Sequence, residues 1–462
     1  MQNSKQNNPL GTAPVPHLMV RFAVPSIIAM LVGALYNIVD QLFIGQAVGT
    51  LGNAATNIAF PLSTSCIALA LLFGIGGASC FNLSLGRGEK EKAGYFAGNA
   101  FVMLAGCGLA LALVTQLFLT PMLKGFGAPD EVLPYAQTYV RITSIGFPFL
   151  IFTTGGGHLI RADGSPRMTM ICNITGAVIN TILDAVFVMG LDLGMAGAAY
   201  ATIIGQIISA VLVICYIRHY KTVVLMKKHF RLRWTYIHEI ISIGMASFIN
   251  QLAMMVVQIA LNNSLRHYGS LSEYGASIPL ACAGIVMKVS QLFFSIVIGL
   301  SQGSQPIESF NYGAKQYKRV REAYRLACVA GAAISIFAFA LFQLFPRQII
   351  SLFGQGTESY YQFGISYFRI FLLFTCLNFV QPITSTFFTS IGKSMKGVFL
   401  SLTRQIIFLL PLILIFPMFW GIDGILYAGP TADLMAFAAA LIMAAQEFKL
   451  MKKEQQMLRP IE

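Results

Sequence analysis

The pattern of hydrophobic and polar positions divides the chain into twelve long apolar segments that short polar segments separate. Each apolar segment approaches or exceeds the ~20 residues that an α-helix needs to cross the hydrocarbon core of a bilayer. Glycine and proline mark several of the turns between them, as at 125–129 and 164–166. The pattern predicts an all-α polytopic membrane protein with spans at 19–42, 54–82, 94–117, 133–158, 168–190, 196–217, 237–264, 277–305, 323–345, 364–389, 397–418 and 422–446.

Composition agrees with this fold class. Hydrophobic residues make up 56% of the chain and charged residues only 11%, so a soluble protein of this composition would aggregate. The eight cysteines are scattered without metal-ligand or redox spacing, and we expect them to be small core residues. Residues 1–12 are polar and lead into a full-length span, so no cleavable signal peptide is expected.

The distribution of charge predicts the orientation in the membrane. Lysine and arginine gather on one side of the predicted bilayer, at 87–92, 161–167, 218–233, 315–325, 393–396 and 449–459. Because basic loops remain in the cytoplasm, both termini and the loop 218–236 are expected there, in a bacterial inner membrane. The net charge of +13 is therefore interpreted as a topology signal, and no nucleic-acid partner is expected.

The two halves of the chain repeat each other. Residues 73–90 align without gaps on 298–315, and 194–201 align on 421–428. Matching segments lie six spans apart and so run in the same direction, which is typical of transporters with a substrate cleft between parallel repeats. The predicted organisation is two pseudo-symmetric six-helix bundles: an N-terminal lobe at 1–217, a basic cytoplasmic linker at 218–236, a C-terminal lobe at 237–446 and a cytoplasmic tail at 447–462.

Two acids within the apolar segments stand out. Asp40 lies in the first span and Asp184 in the fifth, and an acid inside a membrane helix costs roughly 3 kcal/mol even on insertion scales. Asn180 lies one helical turn before Asp184 on the same face. Thr202 lies as far after the next turn as Asp184 lies before it, so both are expected ~13 Å below the outer surface. Tyr139 falls in the same outer half, and together the five residues form a predicted cation-coupling site.

The oxygen atoms of these side chains suit two coupling ions. Carboxylate, amide and hydroxyl oxygens suit a hard cation such as Na⁺. Two nearby carboxylates also suit a proton, because their negative charges disfavour each other. The predicted metal is therefore Na⁺, with H⁺ left open, and its ligands are Asp40, Asn180, Asp184 and Thr202.

Two plainer interpretations of the polar cluster remain open. Asn180, Thr202 and Tyr139 can simply join helices through hydrogen bonds. The two acids can instead form an ion pair with Lys288 or Arg141. The repeat positions that match Asn180 and Asp184 are apolar, so the sequence predicts that the acidic cluster belongs to the N-terminal half only.

Further intramembrane residues are candidates for the substrate cleft. Methionine and phenylalanine form adaptable apolar walls, although core packing explains them as well. Lys288 is also expected either to line the cleft or to pair with Asp433. Pro25 frees a backbone carbonyl in the first span and is a candidate hinge. The predicted cleft residues are Met30, Tyr36, Gln258, Met287, Lys288 and Phe293.

No catalytic constellation accompanies these residues. The chain has no nucleophile motif, no metal-ligand spacing and no GxxxxGK[ST], so neither an enzyme nor direct ATP use is expected. No cofactor is predicted apart from the coupling ion. By elimination, uphill transport would draw on an ion gradient.

Several motifs resemble those of the multidrug and toxic compound extrusion (MATE) family, in its DinF-like or MepA-like branch. They are the stretch YNIVDQLFIGQAVGTLG around Asp40, the turn IRADGSP, the segment NTILD and the stretch GMAGAAYAT. The resemblance covers nearly the whole chain and implies a drug/cation antiporter whose two bundles form a V, open alternately to each side. It also implies the N-lobe cation site at Asp40, Asn180, Asp184 and Thr202, with Tyr139 in the same network and a bend at Pro25.

One departure from the family concerns the NorM-like branch, which also uses acids in its C-terminal half. Spans 7 and 10 here carry no acid deep in the membrane, which argues against a second coupling site.

The turn at 161–167 is predicted to be cytoplasmic, with Arg161 and Asp163 fixing the loop.

The predicted function is that of a secondary active multidrug efflux antiporter. It would export amphipathic, mostly cationic, drug-like organic compounds in exchange for Na⁺ or H⁺ by alternating access, as a functional monomer in the lipid bilayer. The alternative is a flippase for a lipid-linked saccharide or a peptidoglycan precursor, which would need several basic residues in the cleft to hold a diphosphate. A channel is disfavoured, because the acidic cluster lies on one side only.

Overall fold

A computed structural model describes residues 8–275, 277–352 and 357–457. Within these residues the chain forms twelve long helical segments in succession. The first six are α1 (Val15–Ala47), α2 (Thr50–Arg87), α3 (Lys90–Leu117), α4 (Leu133–Ala162), α5 (Pro166–Asp184) and α6 (Gly194–Ile217). The other six are α7 (Trp234–Ser270), α8 (Ser277–Gly313), α9 (Tyr317–Leu344), α10, α11 and α12 (Ile422–Met457).

Three helices are irregular. α5 continues into a π-helical turn at Ala185–Gly190. α10 is assembled from Glu358–Ser366, the π-turn Tyr367–Phe371, the 3₁₀ turn Thr375–Leu377 and Val380–Ser390. α11 consists of Ser394–Leu402, the π-turn Thr403–Leu409 and Leu410–Trp420. Short helices at Pro9–Thr12, Leu119–Gly125, Lys227–Phe230 and Pro346–Leu352 connect or precede the long ones.

The prediction of a polytopic helical membrane protein is confirmed. Ten helices in the described residues are long and apolar enough to cross a membrane, and α10, which bends by 41°, makes an eleventh. The remaining long helix is α4, whose threonines, glycines and Arg141 lower its hydropathy. Each predicted span falls on one of the twelve helices.

The helices run beyond the ends of the predicted spans. The eighth predicted span ends at residue 305, whereas α8 continues to Gly313. α12 likewise passes residue 446, where Glu447 is fully buried and bonded to Lys393 and Lys396. Hydropathy reports only the part of a helix inside the hydrocarbon layer, so it misses turns that are buried within the protein.

The two halves of the chain meet through α1, α2, α7 and α8. A Cβ atom on Gly76 would lie 2.1 Å from the carbonyl oxygen of Ile240, and one on Gly244 would lie 1.8 Å from that of Leu72. Only glycine allows backbones to approach this closely. The Nε2 atom of Gln305 also donates a hydrogen bond of 2.9 Å to Ser79 Oγ.

These contacts lie at the end of the molecule that carries the loops 87–92, 161–167, 218–233 and 313–317, which we call the basic end. Contacts between α1 and α8 extend as far as Ile27 and Gly299, about 20 Å from that end at the helical rise of about 1.5 Å per residue. The halves are therefore closed against each other at the basic end, as at the apex of a V.

The linker between α6 and α7 is packed against α3. Asn99 Nδ2 donates to the carbonyl oxygens of His229 and Arg231, at 3.1 and 3.2 Å, and Asn99 Oδ1 accepts from Arg233 N at 2.8 Å. The linker is thus fixed to the N-terminal half. The division into two lobes at this linker stays a prediction.

Candidate cation site

The hairpin of α5 and α6 is drawn together by small residues. A Cβ atom on Gly205 would lie 2.8 Å from the carbonyl oxygen of Gly176, and one on Gly176 would lie 2.2 Å from Ser209 Oγ. This close approach brings Asn180 against Thr202, whose Oγ1 atom accepts a hydrogen bond of 3.3 Å from Asn180 Nδ2. Thr202 is therefore level with Asn180, one helical turn away from Asp184, with which its distance from the intervening turn predicted it to be level.

The two predicted acids meet at the end of α5. Asp184 is the last residue of the α-helical part, and the π-turn that follows it is a feature common at functional sites. Asp184 is fully buried, and Asp40 of α1 is only 8% exposed. Their carboxyl groups lie within hydrogen-bonding reach of each other. The fold thus joins two acids that are 144 residues apart in the sequence.

Several oxygen atoms in this cluster are buried without a hydrogen-bond donor. Within the described residues, they are Asp40 Oδ1, Asn180 Oδ1 and both carboxylate oxygens of Asp184. A buried acceptor without a donor is costly, and two unpaired carboxylates are costlier still. A proton or a small cation between the acids would satisfy these oxygen atoms.

Two tyrosines complete the cluster. Tyr139 of α4 lies near both acids, as predicted. Tyr36 was predicted to line the substrate cleft, but its hydroxyl lies beside Thr202 and near both acids. Tyr36 precedes Asp40 by four residues and so shares its helix face, which is the signal that sequence reasoning missed.

The ion-pair interpretation of the two acids does not hold. No ion pair in the described part of the chain joins Asp40 or Asp184 to Arg141 or Lys288. Lys288 lies exposed on α8. Among the described residues, therefore, no basic side chain forms an ion pair with the acids of the cluster.

The pairing of Asp433 was predicted wrongly. Its partner is Arg404 of α11 rather than Lys288: Arg404 Nε lies 2.7 Å from Asp433 Oδ1. Asp433 Oδ2 accepts a second hydrogen bond, of 2.8 Å, from Asn378 Nδ2, which lies at the break in α10. The carboxylate of Asp433 therefore has an ion-pair partner and a hydrogen-bond donor, both within the C-terminal half.

The other predicted cleft residues differ in how deeply they are buried. Phe293 is buried against Phe294 and Phe342, which places it in the packing of the C-terminal half. Gln258 is half-buried and donates to Asn262 Oδ1 at 3.1 Å. Met30 and Met287 are half-buried.

Pro25, the candidate hinge, lies buried in the uninterrupted helix α1.

The turn at 161–167 is fixed by Asp163, as predicted, because its carboxylate accepts hydrogen bonds from Tyr216 Oη, Lys221 N and Thr222 N. Arg161 instead bonds to His158 Nδ1 at 2.9 Å.

One deeply buried acid escaped the sequence analysis. Glu308 of α8 has no exposed surface, and neither of its carboxylate oxygens has a hydrogen-bond partner in the described residues. The hydroxyls of Ser304 and Ser390 lie beside it but donate to backbone carbonyls. Glu308 lies beyond the predicted span, which ends at residue 305, and the sequence therefore did not single it out.

Comparisons with known proteins place this geometry in a family. Residues 25–186 and 246–415 match the MatE family. The chain is 24% identical over 427 residues to the multidrug export protein MepA of Staphylococcus haemolyticus (strain JCSC1435), covering 92% of each chain. It is also 24% identical over 433 residues to MepA of Staphylococcus aureus (strain NCTC 8325 / PS 47), covering 93% of this chain and 94% of that protein.

Solved structures show the same fold. The chain is similar to an outward-facing conformation of a multidrug resistance MATE family transporter of the MOP superfamily, with a TM-score of 0.89 and 22% identity, covering 98% of this chain and 99% of that one. It is equally similar to a MOP superfamily transporter from Pyrococcus furiosus in which a reverse polarity of the binding pocket suggests a different function. The family match covers more than half of the chain, and the chain therefore belongs to the MATE family of efflux transporters.

Proposed function

We propose that this transporter is a secondary antiporter that exports amphipathic, mostly cationic organic compounds in exchange for Na⁺ or H⁺. The observation that carries the proposal is the set of buried oxygen atoms on Asp40, Asn180 and Asp184 that have no donor in the described structure. A single small cation, or one proton shared by the two carboxylates, satisfies these atoms. The basic end faces the cytoplasm, and the protein works as a monomer.

Helix α1 connects the cation to the conformation of the transporter. It carries Tyr36 and Asp40 in its outer part, while its inner part contacts α8 at Ala23 and Ile27. A bound cation holds Asp40 against Asp184, whereas the empty site leaves two carboxylates that repel each other. Cation occupancy therefore biases the position of α1, and through it the contact between the halves.

Exchange follows from differential affinity. The cation and the organic substrate need only prefer different conformations of the transporter. Binding of either ligand then shifts the equilibrium away from the conformation that binds the other one more tightly. Entry of the cation from outside neutralises the cluster and favours release of a cationic substrate on that side.

The flippase alternative needs several unpaired basic side chains in the cleft. Lys288 is exposed on α8, but Arg404 is already bound to Asp433. A single unpaired basic side chain would bind a diphosphate only weakly, and the unpaired acids of the N-terminal half would repel it. The chemistry therefore favours a cationic cargo.

The test is ethidium efflux from a drug-sensitive host that expresses the transporter. We expect Asp40→Asn and Asp184→Asn to reduce coupled efflux to the background of the host. The matched control is Asp192→Asn, because Asp192 is an exposed acid in the α5–α6 turn, eight residues beyond Asp184, and asparagine tolerates its backbone angle φ of 52°. Wild-type efflux from both cluster variants, at equal membrane expression, would end the proposal.

A further inference from the structure

A second charged feature lies at the basic end, away from the acidic cluster. It is a cavity of about 690 Å³ between the first turns of α1, the first turns of α5 and the segment that follows α6. Arg21, Arg167 and Lys221 line it, one from each of these three elements. The cation site proposed above makes no use of it.

The three basic side chains are free. Arg21, Arg167 and Lys221 are all exposed, and their side chains make neither an ion pair nor a hydrogen bond within the described ranges. Three like charges around one cavity repel one another unless an anion lies between them. The cavity is thus built for a negatively charged group.

Ser165 supplies an independent indication of such a group. It is only 6% exposed and lines the cavity directly before Pro166, the first residue of α5. Its Oγ atom is buried without a hydrogen-bond partner of ordinary geometry, and it does not cap the helix. The hydroxyl of Tyr216 lies beside Ser165 but donates its proton to Asp163. Ser165 also lies at the N-terminus of α5, where backbone N–H groups and the helix dipole favour a phosphate.

Asp163, an acid beside the cavity, already accepts several hydrogen bonds. Asp163 accepts hydrogen bonds from Lys221 N and Thr222 N at 2.7 and 2.9 Å, and from Tyr216 Oη at 2.7 Å. These bonds fix the segment after α6 and so hold Lys221 at the cavity. Burial raises the pKa of Asp163, although the hydrogen bonds from these donors oppose the shift.

Apolar residues continue the cavity toward the membrane. Val20 and Ile171 line it and are 64% and 48% exposed, an arrangement that suits acyl chains rather than water. Basic pockets between membrane helices at the cytoplasmic surface suit anionic lipid headgroups. A free inorganic phosphate would satisfy the bases and Ser165 but would leave the apolar wall uncovered.

We propose that this cavity binds the phosphate group of an anionic phospholipid, held by Arg21, Arg167, Lys221 and Ser165. Such a lipid would bridge the basic ends of α1 and α5, which are the helices whose outer parts carry Asp40 and Asp184. The lipid therefore stabilises the packing of the two helices that form the acidic cluster. The proposed lipid site is independent of the proposed antiport function, and it can be tested without measuring transport.

The test compares two triple variants of the purified full-length protein. Arg21→Gln, Arg167→Gln and Lys221→Gln together remove the bases of the cavity. Lys90→Gln, Lys318→Gln and Arg325→Gln together remove the same charge from exposed positions at the same end that do not line the cavity. Thermal unfolding is followed in detergent while phosphatidylglycerol, phosphatidylcholine or inorganic phosphate is added.

We expect phosphatidylglycerol, but not phosphatidylcholine, to raise the unfolding temperature of the wild type and of the control triple variant in a saturable way. The cavity triple variant should need at least about tenfold more lipid, since each basic residue contributes appreciably to the attraction of an anionic headgroup. Equal losses in both triple variants, or none in the cavity variant, would overturn the site. An equal shift from inorganic phosphate alone would overturn the assignment to a lipid.

A second measurement covers the case in which the cavity variant does not fold. Native mass spectrometry of the wild type and of Ser165→Ala counts the phosphatidylglycerol molecules that stay bound. We expect one retained lipid in the wild type and at least severalfold lower retention in Ser165→Ala. Equal retention by the two proteins would contradict the site.

Discussion

The hairpins α5–α6 and α11–α12 occupy matching positions in the two halves but handle buried charge in opposite ways. Each first helix contains a π-turn, at Ala185–Gly190 in α5 and at Thr403–Leu409 in α11. In the N-terminal half the acid at this place, Asp184, has no basic partner. In the C-terminal half Arg404 lies in the π-turn and pairs with Asp433.

The difference concerns where the counter-charge of a buried acid comes from. The guanidinium of Arg404 is a cation covalently fixed to the chain, so the charge of Asp433 is balanced in every conformation that keeps the pair. Among the described residues Asp184 has no such partner, so a cation that neutralises it under the proposed mechanism would come from solution. The same scaffold thus provides a structural ion pair on one side and a candidate exchange site on the other.

The largest effect on stability is expected from breaking the C-terminal pair. Arg404→Gln leaves Asp433 buried without its cation, which costs roughly 3–5 kcal/mol. We expect thermal unfolding of the purified protein to shift down strongly. A variant with unchanged unfolding would show that this pair contributes nothing, and the contrast between the hairpins would fail.

Removing the acid of the N-terminal hairpin should have the opposite effect on stability. Asp184→Asn eliminates a carboxylate that has no donor, so in cation-free buffer the protein should be as stable as the wild type, or more stable by about 1 kcal/mol. Coupled efflux should nevertheless be lost. A large drop in the unfolding temperature would mean that the ionised carboxylate of Asp184 is stabilised by a partner within the protein even when no cation is bound.

Glu308 provides a third case, an acid buried among hydroxyls in the C-terminal half. Without a donor its carboxyl is compatible with this site only as the neutral acid. Glu308→Gln keeps the shape and neutrality, and we expect the free energy of unfolding to change by no more than about 1 kcal/mol, which is typical of point substitutions. Destabilisation by several times that amount, measured by thermal unfolding, would show that Glu308 is ionised and paired.

A modest effect on cation affinity is expected at Thr202. Thr202→Val removes the hydroxyl that accepts from Asn180 Nδ2 but keeps the shape of the side chain. The loss should be near 1 kcal/mol, or roughly fivefold in cation affinity, which calorimetry of the purified variant can measure. Loss of all cation binding would make Thr202 a principal ligand, and no change would leave it as helix packing only.

Much of the fold could be predicted because each helix leaves a local mark in the sequence. The long apolar segments gave the twelve helices, and depth along single helices placed Asn180, Asp184 and Thr202 in the same part of the α5–α6 hairpin to within one helical turn. These arguments use one dimension only, the distance from the end of a span. They succeed for Asp40 and Asp184 because unpaired acids are rare in apolar segments.

What could not be predicted concerns the rotation of helices about their own axes and their irregularities. The pairing of Arg404 with Asp433 needs two helix faces to meet, and a π-turn in α11 rotates one of them. The break in α10 lies within an unbroken apolar run, so nothing in hydropathy marks Asn378 as a ligand of Asp433. Glu308 was missed because burial within the bundle extends beyond the apolar span.

The central claim is that Asp40 and Asp184 together bind one exchangeable cation. It is tested most directly by isothermal titration of Na⁺ into purified wild-type, Asp184→Asn and Asp433→Asn proteins across a pH series, in buffers of different ionisation enthalpy. We predict one Na⁺ or one exchanged proton per wild-type protein, none for Asp184→Asn, and retention of the event in any Asp433→Asn protein that folds. Undiminished cation or proton exchange by Asp184→Asn would contradict the account.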